Sequence, residues 1–139
     1  MSKLDLAKSL CKAAHTGQYD RGGVEYYLHP FKVADMCKKR VDKIVAYLHD
    51  VPEDTKITID DLRKFGFSRR VINAIIAITH IKTMSYPEYL KIVKKNKIAT
   101  RVKIADLTHN SDITRIKNPT VKDTQRCRKY IEYMQFLQK

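Results

Sequence analysis

Apolar residues recur at three- and four-residue intervals along almost the whole chain, the spacing of one face of an α-helix. Leu4, Ala7, Leu10, Cys11 and Ala14 trace a first stripe. Phe31, Val33, Ala34, Met36 and Cys37 trace a second, with Pro30 suited to its first turn. Val41, Ile44, Val45 and Leu48 line a third. Pro52 removes a backbone donor and disfavours helical geometry at Val51, so this helix should end near Asp50. A short helix from Thr58 should stop at Gly66, a residue suited to a C-cap. Ser68 can cap the next, whose buried face would be Val71, Ile72, Ile75, Ile76 and Ile78. Ser85-Tyr86-Pro87-Glu88 reads as a capping box with Pro in the first helical position. Ile98, Val102 and Ala105 form another inward stripe, and Cys127, Tyr130, Ile131, Met134 and Leu137 form the last. Ile57-Thr58-Ile59 has strand-like composition but is too short and isolated to build a sheet. The expected fold class is all-α, one compact bundle of about eight helices across residues 1–139.

Composition agrees and narrows the setting. The chain of 139 residues is 43% hydrophobic and 31% charged, a globular balance. Four Gly and four Pro are too few for a loop-rich β-sandwich. No apolar run is long enough for a membrane span, and MSKLDLAKSL lacks the apolar core of a signal peptide. Cys11, Cys37 and Cys127 are an odd, scattered set, which predicts small buried thiols in a reduced, cytoplasmic protein. Lysine and arginine outnumber acidic residues, giving a formal charge of +13. That surplus attracts anions without choosing among nucleotide, nucleic acid and acidic membrane. The basic residues are spread along the chain, as on an ordinary solvated surface.

Several polar residues stand where folding alone would not put them. His49 and Asp50 close an apolar helix, where a carboxylate meets the negative end of the helix dipole at a cost of about 0.3–1 kcal/mol. A bound cation would reverse that sign. Asp106 follows Ile98, Val102, Ile104 and Ala105 on an otherwise apolar face, and an unpaired buried carboxylate is costly. His29 precedes Pro30 at an expected N-cap, and Glu53 and Asp54 follow Pro52 in an acidic loop. Taken singly, His29 reads as a turn residue and Asp106 as half of an ion pair; His15 and His109 carry no clear signal either way. As a set, two His and two Asp make an oxygen and nitrogen shell for Mn, Fe, Mg or Zn.

With these residues in view, the chain resembles a known family. His29, the adjacent His49-Asp50 and the distant Asp106 resemble the H…HD…D signature of HD-domain metal phosphohydrolases. The stretches around His15-Thr16-Gly17-Gln18, Tyr26 to Pro30, Leu48 to Thr55 and Val102 to Asn110 resemble the hydrolase domain of RelA/SpoT-type alarmone enzymes, most of all its small stand-alone forms. The likeness runs from His15 to Tyr130, and no synthetase-like second domain fits in the chain.

The resemblance implies a single HD hydrolase domain with one divalent metal ion, usually Mn, with Fe, Co, Zn or Mg as alternatives. It implies His29, His49, Asp50 and Asp106 as metal ligands and Glu53 and Asp54 as the catalytic acid/base pair. It implies Asn110, Lys82, Tyr26 and Tyr130 as substrate contacts, with Arg21 able to share the phosphate charge. The implied reaction removes pyrophosphate from the 3′ position of guanosine tetra- or pentaphosphate. The implied partner is thus a small anionic nucleotide rather than a membrane or nucleic acid.

The chain departs from the family near the base site. Asp20 replaces a basic residue, Gly22 replaces a serine, and Asp112 replaces an arginine; Asp106-Leu107-Thr108 stands where the family has Asp-(Arg or Lys)-Leu. These replacements predict looser base discrimination. They leave open an HD hydrolase of another nucleotide or phosphoester. The net charge alone leaves a third alternative, a non-catalytic basic nucleic-acid-binding helical module, although no nucleic-acid motif or dense basic stripe is present.

Overall fold

In a computed structural model, which describes residues 1–139, nine α-helices follow one another with short connections. They are α1 (Lys3–Ala14), α2 (Leu28–Met36), α3 (Arg40–Leu48), α4 (Val51–Asp54), α5 (Ile59–Lys64), α6 (Arg69–Ile78), α7 (Tyr86–Lys94), α8 (Lys97–Asn110) and α9 (Val121–Gln138). A 3-10 turn (Ile113–Arg115) joins α8 to the last connection. Apart from the single turn of α4 this is the eight-helix bundle expected. The only extended pairing is an isolated bridge between Tyr19 and Glu25.

Local chemistry starts these helices. Ser2, Ser68, Ser85 and Asn96 each accept a backbone N–H at a helix start, and Thr58 and Thr120 form full capping boxes with Asp61 and Asp123. Gly66 follows α5 at φ +89°, which a side chain would make costly.

Several boundaries differ from the expected ones. Helix α2 opens at Leu28, so His29 lies inside the first turn rather than at an N-cap. The segment Val51–Asp54 is a helical turn, not a loop, because Pro52 is well suited to a first turn. Asp50 stands at its N-cap position but makes no side-chain capping bond; its Oδ2 turns to Tyr26 and His49 instead. Pro87 is the second residue of α7, behind Tyr86. Ile76 and Ile131 face outward, each 44% exposed.

Helices α3 and α8 cross at the centre. Helix α3 packs against α1, α2, α6 and α8, while α8 packs against α2, α3, α6, α7 and α9. Val33, Val45, Leu48, Val51, Leu62, Ile75, Val93, Val102 and Leu107 fill the space between them. Burial of side chains this size stabilises by about 1.5–3 kcal/mol each before entropy is counted. One ion pair crosses the same seam: Arg101 of α8 donates to both oxygens of the buried Asp42 of α3, at 2.6 and 2.9 Å. The three cysteines are buried and unpaired, as expected, and burial pushes the Cys11 thiol up to about 12. No helix is long and apolar enough to cross a membrane.

Candidate active site

The α3–α8 crossing, roofed by the first turn of α2, brings together residues far apart in sequence. One ligand atom from each of His29, His49, Asp50 and Asp106 lies within 4.8 Å of the others. His29 Nε2 is 2.7 Å and His49 Nε2 is 3.2 Å from Asp106 Oδ1, and His49 Nε2 is 3.2 Å from Asp50 Oδ2. Three of the four residues are almost inaccessible: His29 at 3%, His49 at 2% and Asp106 at 4% exposure.

Both imidazoles turn Nε2 toward the cluster and anchor Nδ1 behind it. His49 Nδ1–H donates to the Ala46 carbonyl at 2.6 Å, and His29 Nδ1 is 2.7 Å from His109 Nδ1, with the two rings stacked 4.9 Å apart. Burial, then Arg115 and His29, lower the pKa of His109 to about 4, so it is neutral and can accept the His29 proton. Such backing fixes tautomer and ring direction in metal-ligating histidines.

Burial opposes charge on Asp106 and Asp50, but neighbouring cations win. Asp106 is held well below the ordinary carboxylate range by Lys103, His29 and His49, and Asp50 falls to about 2 beside His49. Tyr26 donates to Asp50 Oδ2 at 2.5 Å, and Asn110 donates to Asp106 Oδ1 at 3.2 Å. Two oriented imidazole nitrogens and two ionised carboxylates are a donor set that can hold a divalent cation.

A cavity of about 210 Å³ opens on the cluster. Glu53 and Asp54 line it from α4, exposed at its mouth, and partial desolvation together with the nearby Asp50 carboxylate raises both above their ordinary pKa values. The His80 backbone N–H donates to Glu53 Oε1 at 2.7 Å. Asp54 is steadied through its backbone: Gln18 Nε2 donates to the Asp54 carbonyl at 3.0 Å, leaving Gln18 Oε1 to face His15 Nδ1 at 2.9 Å. That geometry puts the His15 proton on Nδ1, and its buried Nε2 has no partner.

The remaining expected contacts divide. Tyr26 and Asn110 line this cavity. Asn110 also lines a second cavity of about 370 Å³, together with Arg21 and Tyr130. Lys82 lies exposed on the turn after α6 and lines neither. The cation in the first cavity is Lys103, whose Nζ donates to Asp106 Oδ2 at 3.0 Å. Sequence reasoning passed over Lys103 and used His109 only weakly. The signal for Lys103 was a lysine one turn before Asp106 on a stripe that is otherwise apolar.

No family model matches the chain. The guanosine-3′,5′-bis(diphosphate) 3′-pyrophosphohydrolase of Borreliella burgdorferi is 31% identical over 119 residues, covering 75% of this chain and 18% of that protein. The protein of the same name from Haemophilus influenzae is 27% identical over 115 residues, covering 73% and 17%. The chain thus spans less than a fifth of the length of these two relatives. A solved structure of a metazoan ortholog of SpoT, which hydrolyses ppGpp and plays a role in starvation responses, superposes with a TM-score of 0.76. That match has 21% identity and covers 99% of this chain and 84% of the other, so it bears on the fold. The chain is thus similar in sequence, over 75% of its length, to part of a guanosine-3′,5′-bis(diphosphate) 3′-pyrophosphohydrolase, and in fold, over nearly all of it, to the SpoT ortholog.

Proposed function

We propose that residues 1–139 form one metal-dependent phosphohydrolase domain that converts guanosine 3′,5′-bis(diphosphate) to GDP and pyrophosphate. The observation that carries this reading is the convergence of His29, His49, Asp50 and Asp106 within 4.8 Å, with Glu53 and Asp54 at the edge of the same cavity. The four clustered residues would hold one divalent ion, with Mn as the expected metal. When bound, such an ion supplies a positive charge to a phosphoryl oxygen and acidifies a water.

The chain's own residues account for the rest of the reaction. Water attacks the 3′ phosphorus, the bond from that phosphorus to the 3′ oxygen breaks, and the 3′ oxygen gains a proton. Glu53 and Asp54 are the groups placed to take a proton from the water and to deliver one to the leaving oxygen. Both carboxyl groups are raised above their ordinary pKa values, the direction that suits a proton-delivering acid. Lys103 offers a positive charge to the pyrophosphate oxygens, the role the sequence had suggested for Lys82. Asn110 connects this cavity to the second, where the nucleoside would sit with Arg21 and Tyr130. The net charge of +13 draws a polyanion toward the site.

The test is product analysis with Mn present. GDP and pyrophosphate in equal amounts are the expected products; release of single phosphates, or no turnover by protein shown to contain metal, would refute the reading.

A further inference from the structure

Lys103 is the one lysine or arginine that lines the first cavity, and a lysine stem is long enough to carry its charge out to water. It stays inside although a single hydrogen bond, to Asp106 Oδ2, holds its ammonium. Two rings close around it. Its Nζ lies 5.4 Å from the centre of the Tyr89 ring and 5.8 Å from that of Tyr86, both within reach of a cation–π contact. The two tyrosines stand three positions apart on α7, so their rings share one face of that helix and meet at 5.2 Å.

The rings are anchored differently. Tyr89 is 2% exposed, its hydroxyl donates to the carbonyl of Ile78, the last residue of α6, and its ring packs against His80 at 4.8 Å. Its removal would disturb the core. Tyr86 is half-buried, and its ring packs on that of Tyr133, from α9, with 4.4 Å between centres. Tyr133, Tyr86, Lys103 and Asp106 thus form one packed series from α9 to the His/Asp cluster. Glu53, at the cavity mouth, is another carboxylate close enough to feel the Lys103 charge. An ammonium released from the rings can turn toward it and away from a phosphate.

We infer that Tyr86, braced by Tyr133, is a positioning residue that works with Tyr89 to hold the Lys103 ammonium inside the first cavity, aimed at the pyrophosphate end of the substrate. The inference rests on the function proposed above and names what places its phosphate-binding charge. An ammonium has three N–H donors; Asp106 takes one, and the ring faces attract the charge without needing the other two, which remain for phosphate oxygens. The aromatic walls also keep water from the charge, and a poorly screened cation attracts a phosphate more strongly.

The test is a double-mutant cycle. Tyr86→Leu removes the ring, Tyr86→Phe keeps it, and each is made in the wild-type chain and in Lys103→Met. Two readouts are taken with Mn present: binding of pyrophosphate, and kcat/KM for guanosine 3′,5′-bis(diphosphate). Tyr86→Leu should weaken both by about threefold to thirtyfold, the span of a cation–π contact, and Tyr86→Phe should retain most of each. In the Lys103→Met background neither substitution should lower either readout further, because the group being positioned is gone. Tyr133→Leu, which removes the brace, is the second route should Tyr86→Leu fail to fold, with the same expected dependence on Lys103. Equal losses with and without Lys103 would make Tyr86 a packing residue and overturn the inference. So would a loss in Tyr86→Phe as large as in Tyr86→Leu, no loss in either, or a wild-type chain that does not bind pyrophosphate. If the bis(diphosphate) is not hydrolysed while pyrophosphate binding still shows the dependence of Tyr86 on Lys103, the function reading fails and the positioning inference stands.

Discussion

Lys103 Nζ lies 3.0 Å from Asp106 Oδ2, one turn apart on α8, with both side chains nearly closed off from solvent. Burial lowers the pKa of Lys103, but the Asp106 carboxylate outweighs it, so the lysine stays charged. It therefore repels a cation at the cluster while attracting substrate phosphate. Lys103→Met should raise Mn affinity yet reduce turnover by about ten- to hundredfold, matching a lost charged hydrogen bond of roughly 1.5–3 kcal/mol. Calorimetric metal titration and steady-state kinetics on one preparation check both halves; a parallel fall in affinity and rate would assign Lys103 to packing alone.

His49 and Asp106 meet at 3.2 Å from different helices. Replacing either with Ala removes one donor and misaligns the rest. The wild-type chain is expected to bind about one Mn, and both variants to lose it. Elemental analysis after gel filtration measures this, and metal content that is unchanged in both variants would refute the ligand assignment.

Glu53 lies outside the four-residue cluster, though its carboxylate is within 4.8 Å of those of Asp50 and Asp54, so its variant tests whether it acts on the proton or on the metal. Glu53→Gln keeps an acceptor for the His80 N–H and should keep the metal, while cutting turnover by about a hundredfold or more. Asp54→Asn should cost less. Near wild-type rates in both would make α4 an ordinary acidic turn.

Asp123 links acid stability to Arg21 and Arg126, which line the second cavity. The Thr120 backbone N–H at 2.9 Å, then Arg126 and the Thr120 hydroxyl, with Arg21 beyond them, lower its pKa to about 2. A carboxyl group depressed in the folded state contributes stability above its unfolded value of about 3.9 and loses it as pH falls toward the folded value. Asp123→Asn should therefore melt lower than wild type at pH 7, and the gap should close between about pH 4 and pH 2. Thermal melts across that range test the sign; a gap that widens on acidification would contradict it.

The helices were legible from their apolar stripes, and the starts at Thr58, Ser68 and Ser85 from caps that act within three residues of themselves. The pair His49-Asp50 stood out because each broke a local rule beside an apolar run. His109 was harder to place, since its partner His29 is 80 positions away and only packing reveals the stacked rings. Lys82 entered through the resemblance alone, and a lysine in an exposed turn does not disclose in the sequence the direction it faces. Lys103 escaped because amphipathic lysines so often extend from apolar stripes to solvent.

The His/Asp cluster joins the first turn of α2 to the far end of α8, with 77 positions between His29 and Asp106. Contacts that distant form only after the intervening chain has closed its loops, which is entropically late in folding. An ion captured there would brake unfolding without hastening folding, because the half-folded chain has nothing to grip it with. Chelation would then shorten the lifetime of the native chain, and an ion at about 100 times its Kd would add about 2.7 kcal/mol to the stability. Metal supply would thus set how long each molecule persists as well as how fast it works.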